Sequence, residues 1–257
     1  MEARILGAHQ CETFDRRFTS MVIDGVLAID AGSLAGGLSL ADQLNVRDVL
    51  ITHHHWDHVK DLAGFGFNLL GARASARIYC TDEVLRVVSS YVLNPACWID
   101  FFKRPEPENP VYVHVGLEQD STFAVGPYQV QAIAVNHSVP TTGYQVTGPD
   151  GRALYYTGDN GPGCGRHWVA AKPDVLVTEV TYPNELAAEA ARAGHLWPDQ
   201  LEAELTLFRD TRGYIPRVLV VHVNPFHEDQ VRAEVAAVAG RLGAVIDVAW
   251  EGLVISV

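Results

Sequence analysis

The run His53-His54-His55-Trp56-Asp57-His58 follows directly on the apolar segment Val49-Leu50-Ile51-Thr52. A short apolar, partly β-branched segment reads as a buried strand, so the residues after it form a turn at a strand end. Read as His-x-His-x-Asp-His, the candidate ligands are His53, His55, Asp57 and His58, with His54 and Trp56 as spacers. Neutral imidazole nitrogens and a carboxylate suit a borderline divalent ion such as Zn²⁺, and a catalytic site keeps one coordination position open for water. The run is internal and carries an acid in register, which separates it from a solvated His-rich loop or a tag.

Apolar, β-branched runs recur at Met21–Ile23, Val26–Ile29, Val111–Val113, Val130–Val135, Leu154–Tyr156, Val175–Val177 and Val218–Val221. Each is bounded by Gly, Asp, Asn or Pro, as strands are. Helical stretches lie between them, most clearly Asp82–Tyr91, Asn184–Ala193, Pro198–Phe208 and Glu228–Leu242. Asp24-Gly25 reads as the tight turn of a hairpin between the first two runs. The proline-rich segment Lys103–Pro110 reads as a surface loop, because proline disfavours helix and sheet alike. At 257 residues and 48% hydrophobic content, the chain can bury a full core and is expected to form one domain over 1–257.

Further ligand-type residues stand at the ends of other strands: His137 after Val130–Val135, Asp159 after Ala153–Thr157, and His222 after Val218–Val221. Taken singly, each is more often a structural or turn residue. Their order is informative: His-x-His-x-Asp-His, then His, then Asp, then His. In spacing and order the chain resembles the metallo-β-lactamase superfamily. That resemblance implies an α/β (α+β) fold, the four-layer αββα metallo-β-lactamase sandwich, with a dinuclear site. By it, His53, His55 and His137 hold one ion, Asp57, His58 and His222 the other, and Asp159 bridges them. Two ions about 3.5–4 Å apart need a shared anion, which a carboxylate together with hydroxide supplies. The cofactors implied are two divalent ions, Zn²⁺ first, with Mn²⁺ or Fe²⁺ also compatible with these ligands. Known β-lactamases usually carry cysteine or serine near the position of Asp159, and flavodiiron proteins carry glutamate where this chain has His55. Both departures point away from those activities.

Glu179 ends the strand Val175–Thr178, and Gly194-His195-Leu196-Trp197-Pro198-Asp199-Gln200 follows after one helix. This pair resembles the phosphodiesterase branch of the superfamily, which includes tRNase Z and the class II cyclic-nucleotide phosphodiesterases. There the histidine lies against the scissile phosphate and is held by the glutamate. Phosphodiester cleavage needs a nucleophile, neutralised phosphate oxygens and a proton for the leaving alkoxide. Glu179 would keep His195 protonated to supply that proton, and Asp57 would orient or deprotonate the attacking water. A purely structural role for His195 is a cap on the helix beginning near Pro198.

The net charge of −12, from 19 Lys and Arg against 31 Asp and Glu, argues against a surface for long nucleic acid, which requires many phosphate contacts. Between His137 and Asp159 there is room only for a strand pair around Gly148–Gly151, whereas tRNase Z usually inserts a long arm there. The expected substrate is therefore a small anionic phosphodiester, a cyclic nucleotide first. A tRNase Z-like endonuclease, thioester or lactone hydrolysis and a non-hydrolytic di-iron protein stand as alternatives. The aromatics Tyr91, Trp98, Phe101 and Phe102 are read as core or subunit-contact residues ahead of a wall for a base. No apolar stretch reaches membrane-span length, and Cys11, Cys80, Cys97 and Cys164 lack zinc-knuckle spacing and read as reduced, buried thiols. A cytoplasmic enzyme is expected, with a homodimer its commonest oligomer.

Overall fold

The computed structural model describes residues 1–257. Its first sheet starts with β1 (Glu2–Gly7), β2 (Ser20–Ile23) and β3 (Leu27–Ile29), paired antiparallel in chain order. Asp24 and Gly25 join β2 to β3 at φ 48° and 72°. Two positive φ values give the turn whose twist matches that of the flanking strands. Beyond β3 the pairing becomes parallel, through β4 (Asp48–Leu50) and β5 (Ala76–Cys80). A two-residue ladder of β6 (Pro105–Glu106) and β7 (Asn109–Pro110) precedes β8 (Tyr112–Gly116), which pairs parallel with β5 and closes the sheet's edge. That ladder corrects the reading of Lys103–Pro110 as wholly irregular. The two prolines face each other across it, and the flanking bond runs from Val111 N–H to the Arg104 carbonyl at 2.8 Å, so neither proline is asked for the donor it lacks.

The second sheet has the same spatial and chain order: β9 (Thr122–Val125), β10 (Tyr128–Val135), β11 (Thr141–Thr147), β12 (Ala153–Tyr156), β13 (Val175–Glu179), β14 (Arg217–Val221) and β15 (Ile246–Val248). Pairing is antiparallel from β9 to β12 and parallel from β12 to β15. Because β10 is two antiparallel steps from β12, strands β10, β12, β13 and β14 all point the same way. Finally β16 (Val254–Ser256) returns to the first sheet beside β1.

Three buried apolar layers separate four layers of structure. Ile23, Leu50, Tyr144 and Leu219 fill the space between the sheets. Val49, Leu62, Phe65 and Leu69 join the first sheet to the helix Leu62–Ala72. Leu176, Leu201, Phe208 and Val235 join the second sheet to the helices Pro198–Arg212 and Glu228–Leu242. Each such aliphatic or aromatic side chain contributes about 1.5–3 kcal/mol by leaving water. The helix expected to end at Phe208 runs to Arg212 and stops where Gly213 turns left-handed at φ 82°, the ordinary glycine C-terminus. The stretch Asp82–Tyr91 is α-helical only to Val87 and ends in a π turn over Val88–Val92. Asn184–Ala193 opens as a 3₁₀ turn before Ala187–Ala193 becomes α-helical. Phe101 and Phe102 pack on Tyr112, and Trp98 packs on Phe67. The four cysteines are free; Cys80 and Cys164 are buried, whereas Cys97 is exposed and Cys11 half-buried, against the expectation for all four. No helix is long and apolar enough to cross a membrane.

Candidate metal centre

The loops after β4, β10, β12, β13 and β14 meet at one end of the two sheets. The turn after β4 brings His53, His55, Asp57 and His58 from the first sheet; His137, Asp159 and His222 come from the second. The side chains fall into two groups: His53, His55, His137 and Asp159, and Asp57, His58, Asp159 and His222. Asp159 belongs to both. Its Oδ2 lies 3.8 Å from His53 Nε2, 3.9 Å from His137 Nε2 and 3.3 Å from His222 Nε2, while Oδ1 lies 3.3 Å from His58 Nε2. Asp57 Oδ2 is 3.0 Å from His222 Nε2 and 3.7 Å from His58 Nε2.

These atoms fit bound cations. Ligands about 2.0–2.1 Å from a tetrahedral Zn²⁺ stand about 3.3 Å apart, close to many of the separations here. His53 Nε2 and His58 Nε2 are buried without a hydrogen-bond partner, a costly state unless something else satisfies them. Buried Asp159 and the nearby Asp57 would repel each other without intervening positive charge.

The other ring nitrogens are already engaged. His58 Nδ1 donates to Asp30 Oδ2 at 2.7 Å, and His137 Nδ1 donates to the Gly194 carbonyl at 2.9 Å. Thr52 Oγ1 donates to Asp30, at 2.9 Å from Oδ2, and accepts from His53 Nδ1 at 2.9 Å. Thr181 Oγ1 repeats this arrangement, donating to Glu179 Oε2 at 2.7 Å and accepting from His222 Nδ1 at 2.8 Å. In all four rings the bonded Nδ1 leaves Nε2 for the cluster, the arrangement by which outer partners fix a ligand's tautomer and orientation. Asp30, Thr52, Thr181 and Gly194 were not singled out from sequence as parts of this network. Asp30 and His222 both adopt left-handed backbone, at φ 57° and 59°. For residues with a Cβ this costs about 1–3 kcal/mol and persists where surrounding contacts demand it.

Burial, helped by the charge of His58, holds His53 well below the usual imidazole range, and burial with the charge of His137 takes His55 down to about 4. Burial opposes charge on Asp57 and Asp159 too, but the histidines around them win and keep both carboxyls low. Burial likewise opposes charge on His58, yet Asp159, Asp30 and Asp57 raise it. A proton on His58 thus occupies a place where the three carboxylates call for positive charge.

Glu179 and His195 lie beside this cluster. The Glu179 carboxylate is buried and accepts four hydrogen bonds: His195 Nδ1 at 2.9 Å, Asn160 N–H at 3.2 Å, Leu196 N–H at 3.2 Å and Thr181 Oγ1 at 2.7 Å. It is not a solvated strand-end acid. His195 does not cap the following helix, whose N-cap is Trp197 without a side-chain bond. Its ring stands 5.3 Å from that of His137 and 5.2 Å from that of His222. Burial lowers the His195 pKa, but Glu179 outweighs it and raises the imidazole to about 9. Of the spacers, Trp56 is exposed and His54 half-buried.

Two sheets flanked by helices, with a His and Asp cluster at their shared end, define a metallo-β-lactamase-type fold. The chain belongs to the beta-lactamase superfamily: the family described as "Beta-lactamase superfamily domain" matches residues 22–223. No curated protein matches the chain in sequence. Among solved structures, yeast PDE1 is similar with a TM-score of 0.81 and 16% identity, covering 100% of this chain and 99% of that one. The metallo-beta-lactamase fold protein YhfI from Bacillus subtilis is similar at 0.75 and 16% identity, covering 99% and 98%. Human tRNase Z, short form, is similar at 0.66 and 18% identity, covering 100% and 99%. At these identities the likeness establishes the shared fold. Membership makes the chain a metallo-β-lactamase-fold hydrolase, and the fold implies divalent metal ions.

Proposed function

We propose that the chain is a dinuclear metal-dependent phosphodiesterase acting on a small anionic phosphodiester, a cyclic nucleotide first. The observation that carries this reading is the buried Glu179–His195 pair at 2.9 Å beside the His and Asp cluster. A proton-bearing imidazole beside two candidate cation sites matches a reaction that develops charge on phosphate oxygens and on a departing alkoxide.

His53, His55 and His137 would hold one ion, and Asp57, His58 and His222 the other, with Asp159 shared between them. Bound ions would neutralise the phosphate and acidify water. Asp57 would accept a hydrogen bond from the attacking water and orient it. His195 would donate the proton from Nε2 to the leaving oxygen, with Glu179 fixing Nδ1 and stabilising the cationic ring. The neighbours named tRNase Z and PhnP-family diphosphatase support phosphate-ester chemistry on this fold. The short Gly148–Arg152 connection between β11 and β12 and the net charge of −12 favour a small substrate over tRNA.

The test is turnover of bis-p-nitrophenyl phosphate, cyclic AMP, cyclic GMP and a precursor tRNA by zinc- or manganese-loaded wild type and Asp159→Ala. Cyclic-nucleotide hydrolysis that disappears in the variant is the expected result. Activity on the chromogenic ester alone would retain the phosphodiesterase and remove the cyclic nucleotide. Cleavage of the tRNA alone would favour the endonuclease reading. Silence on all four substrates with two ions bound would refute the proposal.

A further inference from the structure

Three loops are laced together at the rim beside His195. Asn224 N–H donates to the Thr181 carbonyl at 3.0 Å, Gln10 N–H to the Val223 carbonyl at 3.1 Å, and Val223 N–H to the Ala8 carbonyl at 3.2 Å. On that frame the side chains of Asn224, Gln10 and Tyr182 form a hydrogen-bonded row. The tyrosine ring lies 6.2 Å from the ring of His195.

The direction of the row follows from its first member. Phe226 N–H donates to Asn224 Oδ1 at 3.0 Å, and a backbone N–H can only donate. Asn224 therefore turns its Nδ2 toward Gln10 and donates to Oε1 at 3.2 Å. With its oxygen engaged, Gln10 presents Nε2 to Tyr182 and donates to the phenolic oxygen at 3.5 Å, the longest link. Tyr182 is the acceptor here, so its own O–H proton points elsewhere, and no protein group accepts it. Chains of bonds polarised in one direction strengthen the donor at their end.

Two cationic side chains of the neighbouring loops, Lys60 and Arg16, are committed to carboxylates. Lys60 is paired with Glu12 at 2.5 Å and Asp61 at 3.3 Å, and Arg16 with Asp15 at 3.0 Å and Glu228 at 2.9 Å. The Tyr182 hydroxyl adds a neutral donor beside the proton-bearing ring of His195.

We infer that Tyr182 is a substrate-contacting residue whose hydroxyl donates to a phosphoryl oxygen held on the His195 side of the site, with Gln10 and Asn224 as positioning residues that aim it. The inference rests on the phosphodiesterase reading for its substrate. Its hydrogen-bonding content is measurable with inorganic phosphate alone. Removing a hydrogen bond to a charged group costs about 1.5–3 kcal/mol, or about 10- to 150-fold in affinity.

The experiment titrates inorganic phosphate by calorimetry into zinc-loaded wild type, Tyr182→Phe and Gln10→Glu, alongside kcat/KM for bis-p-nitrophenyl phosphate. Metal content and melting temperature are recorded for all three. Tyr182→Phe should weaken phosphate at least tenfold with two ions retained. Gln10→Glu places a carboxylate oxygen where Nε2 donated, captures the tyrosine proton and should reproduce that loss with the phenol still present. A purely structural Tyr182 would leave the phosphate affinity of Tyr182→Phe at the wild-type value, and that result would overturn the inference, as would wild type failing to bind phosphate. If Tyr182→Phe fails to fold, an unchanged affinity in Gln10→Glu overturns it equally. The predicted affinity loss without ester turnover would uphold Tyr182 as a phosphate donor while refuting the phosphodiesterase reading.

Discussion

His195 has one ring nitrogen bonded to Glu179, and its other nitrogen makes no hydrogen bond within the protein. A proton donor matters most when the departing oxygen is basic, so His195→Ala should cut hydrolysis of an alkyl phosphodiester by about 10²–10⁴-fold. It should change release of p-nitrophenolate far less, with both ions still bound. Equal losses on the two leaving groups would exclude His195 as the acid. Asp30 offers a second test, because it accepts from Thr52 N–H at 2.8 Å, from Tyr156 Oη at 3.1 Å and from the His58 ring at 2.7 Å. Asp30→Asn keeps the volume but weakens the hold on His58. Metal affinity should fall about 10- to 100-fold, read by competition with a chromogenic chelator, and an unchanged affinity would reduce Asp30 to a packing residue. The convergence of His53, His55, Asp57, His58, His137, Asp159 and His222 was legible in sequence because these residue types stand at strand ends in an order that resembles the superfamily's. Asp30 and Thr181 were not, since Asp30 meets Tyr156 across 126 residues and Thr181 meets His222 across 41.

The element that ties His195 to the cluster is the turn after the helix Ala187–Ala193, where Gly194 takes φ 79°. A Cβ there would lie 3.1 Å from Ser138 N and 3.2 Å from His137 Nδ1, while the Gly194 carbonyl orients His137. Gly194→Ala should therefore cost about 1–2 kcal/mol in backbone strain and displace His137 and His195 together. The readouts are a lower melting temperature and loss of bound metal. Wild-type values of both would show that the turn tolerates a side chain. Strands rich in Val, Ile and Tyr could be read from sequence, as could the helix Glu228–Leu242 with its buried Val231, Val235 and Val238. The helix Leu62–Ala72 could not, because Gly64, Gly66 and Gly71 lower its propensity. Packing explains the second of these, since a Cβ on Gly66 would lie 2.5 Å from the Phe101 ring. Strand β16, with three residues and one buried side chain, carries too little pattern to stand apart from its turn.

Across the whole molecule, the two halves are also joined by a second, smaller polar network. His9, where the chain leaves β1, meets Glu251 at 2.7 Å and Glu228 at 3.3 Å. Glu251 precedes β16 in the first sheet's path, whereas Glu228 opens the helix over the second sheet. Burial pushes the Glu251 carboxyl up, but the bonds from His9 and Arg17 N–H prevail and hold it below its ordinary 4.5. Glu228 is lowered in the same way, against burial, by Arg232 and Arg16. A carboxyl that binds its proton more weakly folded than unfolded contributes stability above its unfolded pKa, and this fades as pH falls through the folded value. Glu251→Gln should therefore lower unfolding stability by about 1–3 kcal/mol at neutral pH, and that deficit should shrink toward zero in acid. Urea unfolding of wild type and variant from pH 7 downward measures the gap directly. A gap that stayed constant through the carboxylate range would assign the loss to packing around residue 251, and the charged link between the halves would no longer account for it.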